Sequence, residues 1–430
     1  MLSNRPNLTL LGTRGIALAA LLAALLVAPV YGNQKNKKKD AAPAPPPEKS
    51  ILEKLDYSLI VWPNPPQITR VKYLDFFSAQ KVEAPPQTAA RKKVSWMEKM
   101  AGGAAPPPRE DTKPRFQLIT PYGMAIDSKN RLYVADGQVG AVFIFDTETK
   151  DLDMIKNGIH ASFGLIVGLA LDDNDRLFVS DSGLHRVLVF SPQHKLETSI
   201  TAGMADPGGI ALDTENRFLY VADTALDQVL VYDADKFTLL RRIGTGGKNH
   251  FLTAPGDFAK PTNVAVDADG NLYVSDTLNN RIEIFDADGN FIRAFGKSGD
   301  GPDHFARPKG IAIDGDGHIW VADGVQDRIQ CFNSDGKLLM YLGTHGMLPG
   351  QFRALAGLAI DRNNRIFTSE QFPGRVQMFR YITNKEALAE WERRQAAEKK
   401  DAEKQQPATQ TSVSAPAPAA NAAPKPEVKQ

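Results

Sequence analysis

Residues 273–296, YVSDTLNNRIEIFDADGNFIRAFG, return 47 residues later as WVADGVQDRIQCFNSDGKLLMYLG at 320–343. Self-similarity at a fixed period of about 40–50 residues constrains a fold more than any local propensity does, because each copy must be one unit stacked on the next. Six copies align, with cores at 121–146, 166–191, 207–233, 261–286, 308–333 and 355–380. The acid closing each second predicted strand is Asp136, Asp181, Asp223, Asp276, Asp323 and Glu370, at intervals of 45, 42, 53, 47 and 47 residues.

Each copy predicts four strands. A GIAID-like run is followed by an Asp/Asn/Gly turn, then an LYVAD-like run, a short loop, an RIEIFD-like run, a second Asp-Gly turn and an NFIRAFG-like run. β-Branched and aromatic residues fill the runs, and Asn and Gly stand where turns need positive φ. Four-stranded units repeated in this way predict an all-β, six-bladed β-propeller of antiparallel blades. The first strand carries Ala at one place in every copy (Ala125, Ala170, Ala211, Ala265, Ala312, Ala359), as expected where sheets crowd around an axis. The sixth copy stops after its third strand. ITRVKYLDFFS at 68–78 reads like a fourth strand and is expected to pair with 375–381, closing the ring and removing an open sheet edge.

The flanks read differently. Arg5 and Arg14 precede an apolar run at 16–30 of about 15 residues, too short for a membrane span of roughly 20, and small residues follow. Residues 1–32 are therefore expected to be a cleaved export signal; the alternative is a retained membrane anchor. Lys, Ala and Pro dominate 33–50, a linker composition, and the propeller is expected within 51–384. Residues 89–103 suggest a short helix before blade one, and 385–430 a charged helix followed by a disordered Pro/Ala tail. Lys+Arg is 51 against Asp+Glu 50, which gives no support to nucleic acid or an anionic membrane as partner. Cys331 is alone, so no intrachain disulfide forms, and its place in RIQCFN suggests a small core residue.

The P-x-G-I-A-x-D, L-Y-V-A-D and N-R-I elements resemble the NHL-repeat β-propellers over about 121–380, most clearly in copies four and five. Copies one and three lack the Arg that starts the third strand, having Ala141 and Gln228. The Pro-rich stretch at 61–77 resembles that of exported bacterial six-bladed members.

Four acid–base pairs flank the loop between strands two and three and are expected to pin it: Asp181–Arg186, Asp276–Arg281, Asp323–Arg328 and Glu370–Arg375. His160, His250, His304 and His345 fall between the fourth strand of one copy and the first of the next. The zinc-dependent peptidyl-amidoglycolate lyases, similar in fold, use converging histidines, but these four occupy dissimilar settings and are weak metal candidates. The acids ending strand one (Asp127, Asp172, Asp213, Asp267, Asp314, Asp361) recur in every copy, which suggests turn architecture. No catalytic set, cofactor or metal is assigned. The loops between strands two and three carry one apolar tip each: Val139, Leu184, Leu226, Leu278, Val325 and Phe372, with His185 beside Leu184. These are expected either to tuck under the neighbouring connections or to form a binding face for an envelope protein or peptide. The sequence-based expectation is an exported, monomeric, non-enzymatic scaffold in the periplasm, envelope or outside the cell, with no membrane span once processed; the alternative is a metal-dependent lyase or lactonase on the same fold.

Overall fold

The computed structural model of the chain describes residues 55–79, 116–246 and 254–405. The expected signal and linker, the helix expected at 89–103, His250 and the expected C-terminal tail lie outside these residues. Chain contacts separate residues 1–53 from residues 54–430, and the fold below belongs to the second unit.

Six antiparallel sheets follow one another in chain order. Blade one consists of Pro121–Ile126, Arg131–Asp136, Ala141–Asp146 and Leu152–Lys156, and blades two to five repeat this meander. Hydrophobic alternation is lost on the middle strands, where RIEIF at 281–285 and LYVSD at 272–276 are buried at every residue. Burial on both sides is what a radial sheet packed between two others requires. Six core clusters fill the spaces between successive blades; that between blades one and two holds Tyr133, Val142 and Ile144 against Leu169, Val179 and Leu188.

Blade six closes the ring. Its three C-terminal strands are Leu355–Ile360, Arg365–Glu370 and Arg375–Tyr381, and Val71–Phe77 pairs antiparallel with the last in the register Val71↔Tyr381, Tyr73↔Phe379 and Phe77↔Val376. Phe77 then packs with Phe367, Val376 and Met378 against Leu132, Phe143 and Phe145 of blade one. A fifth strand, Val61–Trp62, lies outside Val71–Phe77 and was not legible in the sequence. The C-terminal helix Asn384–Gln405 docks on the closing strand, with Arg70 Nη1 donating to Asn384 Oδ1 at 2.6 Å and Lys72 Nζ 2.8 Å from Glu390.

The six alanines border an axial cavity of about 390 Å³ on one side of the disc. The tightest crowding falls two residues earlier, at glycines. A Cβ on Gly168 would stand 2.6 Å from the Gly208 carbonyl oxygen, and one on Gly310 2.6 Å from the Leu358 nitrogen, so no side chain fits.

Candidate functional site

Strands two and four end, and strands one and three begin, on the same side of the disc. That side, the loop face, carries the long connections; the other carries only tight turns. In those turns the strand-one acids act as expected: Asp127 Oδ1 accepts from the backbone N–H of Lys129 and Arg131, and Asp172, Asp213, Asp267, Asp314 and Asp361 repeat the pattern.

The strand-two acids build the loop face. Asp136 accepts from Ile119 and Thr120 N–H on the incoming connection and from Gln138 and Val139 N–H on the following loop. Asp223 makes the same four contacts in blade three, and Asp323 in blade five. Each carboxylate therefore ties the blade-to-blade connection to the loop beside it. An arginine partner is optional: blades one and three have Ala141 and Gln228 at its place. Arg281 pairs with Asp276 at 2.8 Å, Arg375 with Glu370 at 2.8 Å, and Arg186 more loosely with Asp181 at 3.5 Å. The fourth expected pair is not made: Arg328 donates to the Asp300 carbonyl at 2.9 Å and lies over the Tyr341 ring, because Asp323 is already filled by four backbone N–H groups.

The described histidines do not converge. His160 Nδ1 accepts from Lys156 N–H at 3.0 Å, His304 Nδ1 contacts the Pro302 carbonyl oxygen at 2.8 Å, and His345 Nδ1 contacts Asp327 Oδ2 at 2.6 Å. His304 and Gln351 occupy matching places, each crowding the glycine five residues before it. Among the described residues no three His, Cys, Asp or Glu side chains are grouped to hold a metal ion. Cys331 is buried, and burial pushes its thiol well above the ordinary value.

The apolar tips divide into two sets. Val139 and Leu226 are half-buried against core clusters of blades one and three, the tucked alternative of the two expected for these tips. Leu184, Leu278, Phe372 and Val325 stand 44, 45, 48 and 61% exposed, and His185 is exposed beside Leu184. The Arg353 guanidinium lies over the Phe372 ring, 4.5 Å from its centre. Ile119, Leu165, Met347 and Leu348, on the incoming connections, are exposed on the same face; their irregular spacing hides them in the sequence. Among the described residues, no large exposed apolar side chain lies in a turn of the opposite face.

At the centre of the loop face is an axial well of about 250 Å³. Its lining includes Thr120, Tyr122, Leu165, Asp206, Thr262 and Gln371. The well and the larger cavity on the opposite side share no lining residue. Between them lie the crowded glycines and the Tyr122 side chain, whose phenol oxygen is 3.5 Å from Asn263 Nδ2. Desolvation raises the Tyr122 pKa, so the phenol stays neutral. The Asp206 carboxylate accepts from the Ser182 hydroxyl and, at 2.5 Å, from Thr224 Oγ1.

Residues 258–329 match a family model described as a 6-bladed beta-propeller. No curated protein matches the chain in sequence. Among solved structures, virginiamycin B lyase from Staphylococcus aureus is 12% identical, with 61% of this chain and 96% of the other covered and a TM-score of 0.45. A gluconolactonase from Xanthomonas campestris is 19% identical over 62% and 89%, TM-score 0.47, and a protein of unknown function from Bacteroides thetaiotaomicron 18% over 61% and 70%, TM-score 0.48.

Proposed function

We propose that this chain is an exported NHL-type propeller that holds a protein or peptide partner on its loop face and performs no chemistry on it. The observation that carries the reading is the asymmetry of the disc. Exposed apolar tips from blades two, four, five and six stand on one face, around an axial well of mixed polar and apolar lining, while the opposite face surrounds its cavity with tight turns. Contiguous apolar surface rimmed by polar groups marks interaction sites, and rigid frames present them on loops. The frame is rigid here because every loop-face connection is tied by a buried carboxylate. Leu278 and Phe372 serve as anchors; truncating such groups commonly costs at least about 1–2 kcal/mol of binding.

The test is partner capture from envelope extracts with the full chain and with a Leu278→Ser, Phe372→Ser double variant. Both side chains are half-exposed, so the variant is expected to melt like the parent. A captured partner should be lost with the variant. Unchanged capture by a folded variant places the site elsewhere.

A further inference from the structure

The face opposite the loops is open at its centre. The cavity of about 390 Å³ lies there, among the turns that join strands one and two. Its inner end is blind, because Tyr122 and Asn263 bridge the axis and the glycines crowd around them. Ligand sites are commonly about 300–1,000 Å³ in volume.

The wall is aliphatic. Every first strand brings its small alanine to the axis, and five of the six set the next residue against the cavity too. Ile126, Leu171, Leu212, Ile313 and Ile360 line it and are only half-buried. The charged residues of the lining all follow the ends of these strands, at the mouth. Such a wall favours an apolar guest over water: a cavity of about 150 Å³ lined by aliphatic and aromatic groups binds benzene.

The mouth carries an excess of negative charge. The turns at 127–131, 172–176, 213–217, 267–271, 314–318 and 361–365 hold eleven Asp or Glu and six Lys or Arg. Four of the bases, Arg131, Arg176, Arg217 and Arg365, pair with acids of these turns, and Arg131 also acts on Asp175. The surplus lies in blades three to five, where Glu215, Asp269 and Asp316 are exposed and make no ion pair among the described residues. In the lining itself five carboxylates stand against one cation, the exposed Arg362. A recess rimmed by one sign of charge, with low-dielectric walls, concentrates ions of the other sign. Among the described residues the turns of this face expose no large apolar side chain, so a protein laid on it would lack an apolar interface core. A free small molecule needs only the cavity.

We infer that the turn-face cavity binds a small organic cation with an aliphatic body, its apolar part against the first-strand side chains and its charged nitrogen among the carboxylates of the mouth. The site lies on the face opposite the proposed partner surface and stands independently of it.

The experiment follows the isoleucine methyl signals of the full chain in titrations with octylammonium, octanol, octanoate and tetramethylammonium. Saturating shifts at Ile126, Ile313 and Ile360 are expected with octylammonium, at an affinity about tenfold or more above that for octanoate, since like charges at a contact are strongly disfavoured. Tetramethylammonium, a charge without an aliphatic chain, should leave these methyls unmoved. An Asp173→Asn, Asp175→Asn variant removes two charges of the lining. Asp173 is exposed; at 175 an amide oxygen still accepts from Ser128 N–H, and Asn tolerates the φ of 60° there. The variant should melt like the parent and bind octylammonium about threefold or more weaker, with octanol unchanged. Absence of a saturating shift with octylammonium, or equal affinity for octanol, octanoate or tetramethylammonium, overturns the inference on the parent chain alone, whatever the variant's stability. An unchanged octylammonium affinity in a variant that melts like the parent overturns it as well.

Discussion

The phenol oxygen of Tyr122, in blade one, lies 3.5 Å from Nδ2 of Asn263, in blade four, so the axis of the ring is bridged by two side chains from opposite blades. Around that bridge the first strands approach so closely that backbone meets backbone. Ser369 Oγ donates to the Tyr122 carbonyl at 2.6 Å, and Ser180 Oγ to the Gly208 carbonyl at 2.5 Å.

Gly357 sits in this contact, and a Cβ there would overlap the Tyr122 carbonyl oxygen. Gly357→Ala should destabilise the fold by about 1–3 kcal/mol, the usual range for overpacking. Gly315, with nothing within 4 Å of a built Cβ, is the control, and Gly315→Ala should be near neutral. Thermal melts of the two variants check this; equal melting temperatures would show that the axis relaxes freely.

Closure of the ring depends on Val71–Phe77. Deleting residues 51–80 removes that strand and Phe77 from the core between blades six and one, leaving the edge of Arg375–Tyr381 unpaired. Phe→Ala changes in cores alone cost about 3–5 kcal/mol. The truncated chain should be aggregation-prone or show a sharply lowered denaturant midpoint, and a truncation as stable as the full chain would contradict the closure.

Glu283 is buried in the third strand of blade four, accepting from Gly256 N–H at 2.9 Å and paired with Arg281. Burial pushes its carboxyl from 4.5 up to about 7. A carboxyl raised in the folded state stabilises that state while protonated, so its contribution is full below about pH 4.5 and lost as pH rises through about 7. Blades five and six place Gln330 and Gln377 at this position, and they accept from Asp303 and Gly350 N–H at 3.1 and 2.8 Å. Glu283→Gln should therefore keep the loop contact and raise stability at pH 8 by about 1–3 kcal/mol. The gain should shrink toward zero at pH 4.5, as denaturant melts across that range would report.

Export is expected from the sequence at 5–32, which lies outside the described residues. The mature chain should begin near Asn33, as N-terminal sequencing of protein recovered from the envelope would show. A cytoplasmic product with Met1 intact would remove the partner pool on which the proposed function depends.

Sequence alone determined the blade number, the chain segment that closes the ring and the tight turns of the opposite face. These follow from local pattern. Alternation and Asp/Asn/Gly turns repeat at a fixed period, and an unfinished sixth copy finds its missing strand upstream. The tertiary structure decided which side chains face outward. Leu226 and Leu278 look alike in the sequence, yet one is half-buried on the core of blade three and the other is exposed. Asp323 and Asp276 look alike too, but four backbone N–H groups, two from the incoming connection and two from the following loop, fill the first, whereas the second accepts one from Ala259 and has room for an arginine. Lys309 reads as one more strand residue until six first strands converge and place it beside Tyr122, from a blade nearly 190 positions earlier in the chain. A period fixes what each blade is. Only the closed ring brings together residues from different blades, and the axial well consists of such residues.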